Sequence, residues 1–360
     1  MLKKIDIYII KKFLGSFMLT LGLFTIIIVV FDVSEKLDEF VKKDVPFKEI
    51  FFSYYLNFVP FLLNLFSPIF VFISVIFFTS KLASKSEIVA MLSGGISYTR
   101  MLRPYMIAAF VIALFSFTLN AWIIPRSDKQ RVEFENTYIR NLSHNYKQNI
   151  KRQIVPGVVM TLQSYNYLDS FGYKLEMEEF KDGRLISRLF GEKLRWNDEA
   201  NKWRVSNYRM RIYNEDGTDS LIRGSHLDTL IQFDPDDFFR KEEDVQSFNM
   251  NELNQYIELE KMRGTQNVFF YQTEKQRRYG SPFSMMVLTF IGVCVSSIKT
   301  RQGVGLSLAK GIFISFFYLF IIQFFNSFGQ TGSLHPFVAI WTPNVAFFIV
   351  GLILYRNTQK

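Results

Sequence analysis

Long apolar runs without any charged residue dominate both ends of this chain. Residues 13–31, 50–80, 104–125 and 279–298 contain no Asp, Glu, Lys or Arg. Residues 311–355 are also uncharged, and the polar stretch SFGQTGSLHP (327–336) divides them. Crossing the hydrocarbon core of a bilayer takes about 20 apolar residues. The pattern therefore predicts six membrane-spanning helices, at roughly 13–31, 57–79, 104–125, 279–298, 307–327 and 336–355.

The segment between the third and fourth spans follows a different pattern. Residues 126–142 are polar and favour a helix, whereas from about 154 to 234 apolar and polar residues alternate in short stretches. Turn signals separate these stretches, and they are Lys181-Asp182-Gly183, Asn197-Asp198-Glu199 and Glu215-Asp216-Gly217. Short strands at this spacing are typical of an antiparallel sandwich or jelly roll. Residues 247–278 return to a helical pattern.

Basic residues collect on one side of the predicted membrane protein. If both termini lie in the cytoplasm, the cytoplasmic segments hold 13 Lys and Arg against only two acids, Asp6 and Glu87. Segment 126–278 then holds 25 residues of each sign. Lys and Arg in short loops set the orientation of membrane proteins. The net charge of +9 therefore indicates topology, and nucleic-acid binding is not expected.

The expected fold is a membrane α-helical protein with six transmembrane helices and an inserted all-β, jellyroll-like domain outside the cytoplasm. Residues 1–125 form the N-terminal transmembrane half, with spans 1–3 and a cytoplasmic segment at about 81–100. Residues 126–278 form the β domain with its flanking helices. Residues 279–360 form the C-terminal half, with spans 4–6.

Catalytic chemistry is hard to find in the sequence. His144, His226 and His335 are scattered, and the lone Cys294 lies in the fourth span, where a small buried core residue is expected. No H-E-x-x-H motif or phosphate-binding G-x-x-x-x-G-K-[ST] motif is present. We expect no catalytic residue, no metal site and no cofactor, and any energy for transport has to come from another subunit.

Two polar segments are candidate binding sites. Residues 86–92 (SEIVAML) predict a short helix that Gly94-Gly95 ends, and Glu87 is its one acid among basic neighbours. Such a helix suits docking into a partner, and a plain connecting loop is the alternative. The other segment follows the first span and carries Lys36, Lys42 and Lys43, whose ammonium groups suit lipid phosphates. A solvated run of mixed charges is the alternative there.

Several segments together resemble one known family. The opening KKIDIYIIKKFLGSF, the loop SEIVAMLSGGIS with the RPY that follows, and the strand sequence GEKLRWNDEANKW carry the likeness. The last span adds HPFVAIWTPNVAFFIVGL, in which Trp341, Pro343 and Asn344 match a family signature. On these residues the chain resembles the LptF/LptG (YjgP/YjgQ) family of lipopolysaccharide export permeases, over essentially its whole length.

The resemblance implies a location in the cell inner membrane of a Gram-negative-type envelope, with the β-jellyroll domain in the periplasm. It implies four kinds of partner, which are an LptB-like ATPase dimer, a second LptF/LptG-type permease, an LptC/LptA-like periplasmic bridge, and lipopolysaccharide. Glu87 and Met91 would contact the ATPase. Lys36, Lys42 and Lys43 would fall near lipid phosphates, and the first and fifth spans would form a lateral gate.

Two other kinds of function remain open at this point. One is a mechanotransmitting ABC transporter subunit that moves no lipid through itself. The other is a membrane scaffold or sensor whose exterior domain binds a protein. Testing whether an ATPase and a lipid accompany the purified chain distinguishes the three functions.

Overall fold

The computed structural model describes residues 3–139, 146–166, 171–197, 202–214, 216–229, 242–265, 267–298 and 303–358. The chain divides into a helical unit and a β unit. The helical unit comprises Met1–Ile139, Gln246–Met250 and Phe269–Lys360, and the β unit comprises Arg140–Val245 and Asn251–Val268.

Among the described residues, six helices of the helical unit are long and apolar enough to cross a membrane, which confirms the predicted spans. In chain order the helices are α1 (Lys4–Lys42), α2 (Phe47–Glu49), α3 (Leu56–Ser84), α4 (Glu87–Ser93), α5 (Tyr98–Thr118), α6 (Ile124–Phe134), α7 (Met250–Met262, in the β unit), α8 (Val268–Ser296), α9 (Gly303–Gln330) and α10 (Pro336–Thr358). Wider π-helical turns join α2 to α3 at Ile50–Tyr55 and α5 to α6 at Leu119–Ile123. A third follows α6 at Glu135–Ile139.

The helices α3 and α8 form the centre of the helical unit. Neighbouring residues of α3 enter two different apolar clusters, because successive side chains of an α-helix point about 100° apart around its axis. Val71 packs in a cluster with residues of α1, α5 and α8, whereas Phe72 packs in a second cluster with residues of α8, α9 and α10. The first and last helices of the unit are thus held together through α3 and α8.

Buried hydrogen bonds join the helices α8, α9 and α10. The side-chain oxygen of Asn344 in α10 accepts hydrogen bonds from the Ser284 hydroxyl of α8, at 2.8 Å, and the Tyr318 hydroxyl of α9, at 3.0 Å. The Asn344 amide donates to the backbone oxygen of Ile340 at 2.9 Å. Polar side chains that hydrogen-bond across helices stabilise membrane bundles. The signature asparagine therefore has a packing role.

The described residues of the β unit form one six-stranded antiparallel sheet. Its strands are β1 (Tyr146–Val155), β2 (Val158–Asn166), β3 (Phe171–Lys181), β4 (Arg184–Asn197), β5 (Lys202–Tyr213) and β6 (Asp219–Thr229), and they lie side by side in chain order. This order is a meander, and the described strands show none of the crossing connections that interleave the two sheets of a jelly roll. The inserted all-β domain is confirmed.

The turn between β3 and β4 follows the predicted signal. Lys181 pairs with Arg184, which leaves the two-residue loop Asp182-Gly183. Both loop residues have positive φ, 50° and 78°, as a type I′ hairpin turn requires. Asp198 and Glu199 of the second predicted turn and Glu215 of the third lie outside the described residues.

The two faces of the sheet differ in polarity. One face carries a buried apolar cluster that includes Leu162, Leu175 and Trp203. The other carries exposed ion pairs between neighbouring strands, such as Arg204 Nε to Asp228 Oδ1 at 2.7 Å. The Arg204 guanidinium holds the pKa of the Asp228 carboxyl below its usual value, because it donates hydrogen bonds to the ionised form. This second face is solvated.

Candidate functional site

The short helix α4 connects α3 to α5 at one end of the bundle, which we call the α4 end. It begins after Ser86, whose φ is 62°, and ends at Gly94-Gly95, where Gly95 has a φ of 82°. Glycine adopts this left-handed conformation without a steric penalty, which explains why the helix stops there. The predicted short helix is confirmed, and its docking role stays a prediction.

The side chains of α4 divide between an inner and an outer face. Ile88 is buried, and Met91 packs partly buried against the same apolar cluster of α1, α3 and α5. Val89 and Leu92 point outward, with 49% and 39% of their surface exposed. The outer face is therefore apolar although it lies at an end of the helix bundle, which is unusual for a connecting segment.

Both acids at the α4 end bind partners on other helices. Glu87 Oε2 accepts a hydrogen bond of 3.1 Å from the hydroxyl of Tyr8 in α1. The buried Asp6 of α1 binds the guanidinium of Arg100 in α5 through both carboxylate oxygens, at 2.7 and 2.5 Å. Asp6 Oδ2 also accepts the backbone N–H of Lys3 at 2.7 Å. These contacts fix the start of α1 to the segment that contains α4.

The three predicted lysines lie at the opposite end of α1 and have different surroundings. Lys36 Nζ is 2.7 Å from Asp32 Oδ1, one helical turn away, and also donates to the Tyr54 hydroxyl. The Tyr55 hydroxyl donates to the other oxygen of Asp32 at 3.1 Å. Lys36 is thus held in a mostly buried cluster with the π-helical turn that precedes α3.

Lys42 and Lys43 are placed differently from Lys36. Both side chains are exposed at the end of α1. Within the described part of the chain neither ammonium takes part in a salt bridge. A cation at a helix C-terminus is favoured by the helix dipole. These two lysines can accept an external anion without first breaking an internal pair.

The helices α1 and α9 are the least buried of the six long helices. Only 11% of the most apolar stretch of α1 and 17% of that of α9 are buried, whereas the other four range from 33% to 61%. Their exposed residues are large and apolar, among them Leu19 and Ile26 in α1 and Phe313 and Phe320 in α9. Both helices therefore have apolar faces that the described part of the chain leaves uncovered.

In the described part of the chain, no three His, Cys, Asp or Glu side chains come close enough together to hold a metal ion. His144 lies outside the described residues. Cys294 is buried in α8, which confirms its predicted place in the core.

The structure combines three features. They are a short helix between two spans, a β domain between two sets of three spans, and two long helices with exposed apolar faces. The family model described as lipopolysaccharide export system permease LptF/LptG matches residues 7–357 of this chain. The chain belongs to the LptF/LptG family. Among curated individual proteins, none matches it. Members of the LptF/LptG family are transporter components rather than enzymes, and this one is a multi-pass membrane protein.

Sequence reasoning missed several residues of this LptF/LptG site. The charge pattern makes Arg100 only one more cation, and the pattern of residues 86–92 does not distinguish the exposed Val89 and Leu92 from Met91. One signal was available, since Asp6 and Glu87 are the two acids among 13 basic residues of the predicted cytoplasmic segments. An isolated acid in such surroundings favours a specific partner.

Proposed function

We propose that this LptF/LptG family member is the permease subunit of an ABC transporter that extracts lipopolysaccharide from the outer leaflet of the inner membrane. It passes the lipid to a periplasmic bridge, and a separate ATPase supplies the energy. The match of the family model over residues 7–357 carries this proposal. The basic excess at the α4 end supports a cytoplasmic location for that end and a periplasmic one for the β domain.

The helix α4 is the proposed contact with an LptB-like ATPase dimer. Its exposed Val89 and Leu92 supply an apolar surface, and Glu87 beside them supplies one charge. Interfaces combine such apolar centres with polar groups that fix orientation. Met91 lies on the inner face of α4 and supports the contact by packing against the apolar cluster of α1, α3 and α5.

The exposed faces of α1 and α9 are the proposed contact with a second LptF/LptG-type permease and the lateral gate between them. A lipid that enters sideways between apolar helices keeps its acyl chains out of water. Exposing those chains costs about 0.8 kcal/mol per CH₂ group. Apolar faces of this kind support entry from the membrane rather than from an aqueous channel.

The sheet is the proposed path from the membrane to an LptC/LptA-like periplasmic bridge. Its outermost strands are β1 and β6, and the edge strand of a sheet presents unpaired backbone groups that pair readily with another strand. Exposed apolar residues on β6, Leu221 and Ile222, support a contact there.

Purification of the tagged full chain from native membranes tests the function. We expect an ATPase and lipopolysaccharide to accompany it. Glu87→Lys is expected to lower recovery of the ATPase about tenfold, because a charge at a protein interface is reversed. An ATPase without lipid would favour the mechanotransmitting subunit instead, and neither partner would favour the scaffold or sensor.

The matched control for this experiment is Tyr8→Phe. It removes the same Tyr8–Glu87 hydrogen bond and leaves the charge of α4 unchanged. We expect Tyr8→Phe to recover the ATPase as the unmodified chain does. Equal recovery with Glu87→Lys would remove Glu87 from the proposed interface.

The double change Lys42→Glu and Lys43→Glu is expected to lower crosslinking to lipopolysaccharide at least about fivefold. Each basic residue near an anionic lipid surface contributes roughly 1 kcal/mol, and both signs are reversed here. The control is Lys11→Glu with Lys12→Glu, two exposed lysines in the first part of α1. Full crosslinking by the Lys42 and Lys43 variant would mean that these side chains are only solvated.

A further inference from the structure

A cavity of about 320 Å³ lies within the helical unit, between α3, α8, α9 and α10. The π-helical turn after α5 contributes Asn120 to its wall. Ligand pockets run from about 300 to 1,000 Å³, so this one accommodates a small molecule. A glycolipid with several acyl chains does not fit into it. The cavity is therefore too small to hold the whole exported lipid.

The cavity has a polar end and an apolar end. Ser284 of α8 and Tyr318 of α9 lie at one level of the bundle, because both donate to Asn344 Oδ1. Arg277 precedes Ser284 in α8 and Asn326 follows Tyr318 in α9, and the two helices run in opposite directions, so Arg277 and Asn326 share a second level. Ser284 and Tyr318, which also line the cavity, follow about 10 Å and 12 Å further along the two helices, at 1.5 Å per residue. Between these levels the wall is mostly apolar and includes Phe61, Leu319 and Ile322.

The polar end is positively charged. Arg277 and Arg278 both line the cavity, whereas none of its lining residues is an acid. Glu274 lies behind the wall and receives Arg277 Nε at 2.7 Å and Nη2 at 3.0 Å. The Nη1 group of Arg277 donates to no side chain or backbone group in the described ranges, and 29% of the side chain is exposed. Arg277 therefore keeps donors for an anion.

Asn326 adds a second polar group that the protein does not satisfy. Its side chain is 8% exposed, and its buried oxygen has no hydrogen-bond partner among the described residues. A buried polar atom without a partner destabilises the protein unless a ligand or water supplies the missing bond. Because Asn326 lines the cavity, a ligand hydroxyl placed there completes its hydrogen bonding.

We propose that this cavity binds an anionic lipid with a single alkyl chain and a hydroxyl group near its head. The phosphate or carboxylate accepts hydrogen bonds from Arg277, and the hydroxyl donates to Asn326. The alkyl chain lies along the apolar wall toward Ser284 and Tyr318. The bound lipid fills the space between α3 and the poorly buried α9. The site belongs to one chain and does not depend on the proposed export function.

The test is a binding titration of the purified full chain in neutral detergent, followed by native mass spectrometry. The probe is 1-lauroyl-glycerol 3-phosphate, and 1-lauroyl-glycerol provides the same chain and hydroxyl without the charge. We expect one bound phosphate lipid per chain and binding of the uncharged lipid weaker by about tenfold or more, as charge-assisted hydrogen bonds imply. Arg277→Gln is expected to remove most of the difference in affinity between the two lipids, and Asn326→Leu is expected to weaken the binding of both.

Two variants test the position of the site. Ser281 lines the cavity, so Ser281→Trp is expected to fill it and abolish binding. Phe320→Trp places the same side chain on the exposed face of α9, where Phe320 is 70% exposed, and is expected to bind normally. Asn326→Leu, which keeps the side-chain size, provides a second reading if Ser281→Trp does not fold.

Three results would overturn the proposal. They are equal affinity of the unmodified chain for the two lauroyl lipids, unchanged binding by Ser281→Trp, and competition by lipopolysaccharide at a comparable concentration. The last would show that the cavity admits a chain of the larger lipid, contrary to its size.

Discussion

Asp6→Asn is expected to lower the free energy of unfolding of the helical unit by about 2–3 kcal/mol. The side chain of Asp6 is 4% exposed and holds Arg100 through two hydrogen bonds. An amide in its place supplies one acceptor oxygen and no charge, so the guanidinium loses its ionic partner. We place the effect below that of a fully buried pair, because Arg100 is 29% exposed. Thermal unfolding of the purified chain in detergent measures it.

The same change is expected to uncouple ATP hydrolysis from export. Asp6 lies in the first turn of α1, a proposed gate helix, and Arg100 lies in the first turn of α5, directly after the segment that contains α4. If α4 moves with the ATPase, this ion pair and the Tyr8–Glu87 hydrogen bond are polar links through which α1 follows. We expect ATPase activity of the complex to persist while delivery of lipopolysaccharide falls at least about tenfold, which follows from the loss of more than 1.4 kcal/mol.

A double-mutant cycle separates the pair from each residue by itself. Arg100→Gln alone leaves the buried Asp6 carboxylate without its ion-pair partner, and the double variant Asp6→Asn, Arg100→Gln removes both charges. Residues that act as a unit give non-additive effects. The double variant is therefore expected to be no less stable than the worse single variant. Additive losses, or export unaffected by either change, would contradict the proposed link.

The sequence predicts the six membrane-spanning helices, but it does not predict where α8 begins. The hydropathy pattern assigns residues 268–278 to the exterior domain, because Glu274, Arg277 and Arg278 interrupt the apolar run. In the structure α8 already begins at Val268. Glu274 takes both arginines as hydrogen-bond donors, at 2.7 to 3.5 Å. A hydropathy pattern counts such charges singly and cannot detect that they satisfy one another.

The first strand was missed for a different reason. Strand β1 begins at Tyr146, whereas the alternating pattern predicts strands only from about 154. Its pairing with β2 shifts register between Gln153 and Val155, and Asn149 within it has a φ of 53°. Irregularities of this kind break the two-residue alternation of side chains by which a strand is recognised.

The candidate lysines show what spacing alone can and cannot predict. The pairing of Lys36 with Asp32 follows from their separation of four residues on one helix. The hydroxyls of Tyr54 and Tyr55 complete that cluster. Both residues lie in the π-helical turn before α3, which no sequence pattern predicts. The sequence pattern therefore does not distinguish the three lysines, whereas the structure pairs Lys36 internally and leaves Lys42 and Lys43 exposed.

Trp203→Ala is expected to destabilise the β unit by about 3–5 kcal/mol, the usual cost of removing a buried tryptophan side chain. Trp203 is fully buried in β5. Its ring lies 5.1 Å from that of Trp196, its partner on β4, and 6.1 Å from that of Tyr165. Truncation leaves a cavity among large rings that the paired strands prevent from closing. Limited proteolysis of the full chain, with cleavage mapped within residues 146–229, measures the loss.

The neighbouring residue provides the control, because adjacent side chains of a strand point to opposite faces. Arg204→Ala removes an exposed ion pair with Asp228, and exposed pairs of this kind contribute little. Since Arg204 lowers the pKa of Asp228, that small contribution is present at neutral pH and is lost as the pH falls through the lowered value. Proteolysis at neutral pH is therefore expected to change strongly with Trp203→Ala and hardly with Arg204→Ala. If the two variants resist protease equally, the apolar face that contains Trp203 does not hold the sheet together.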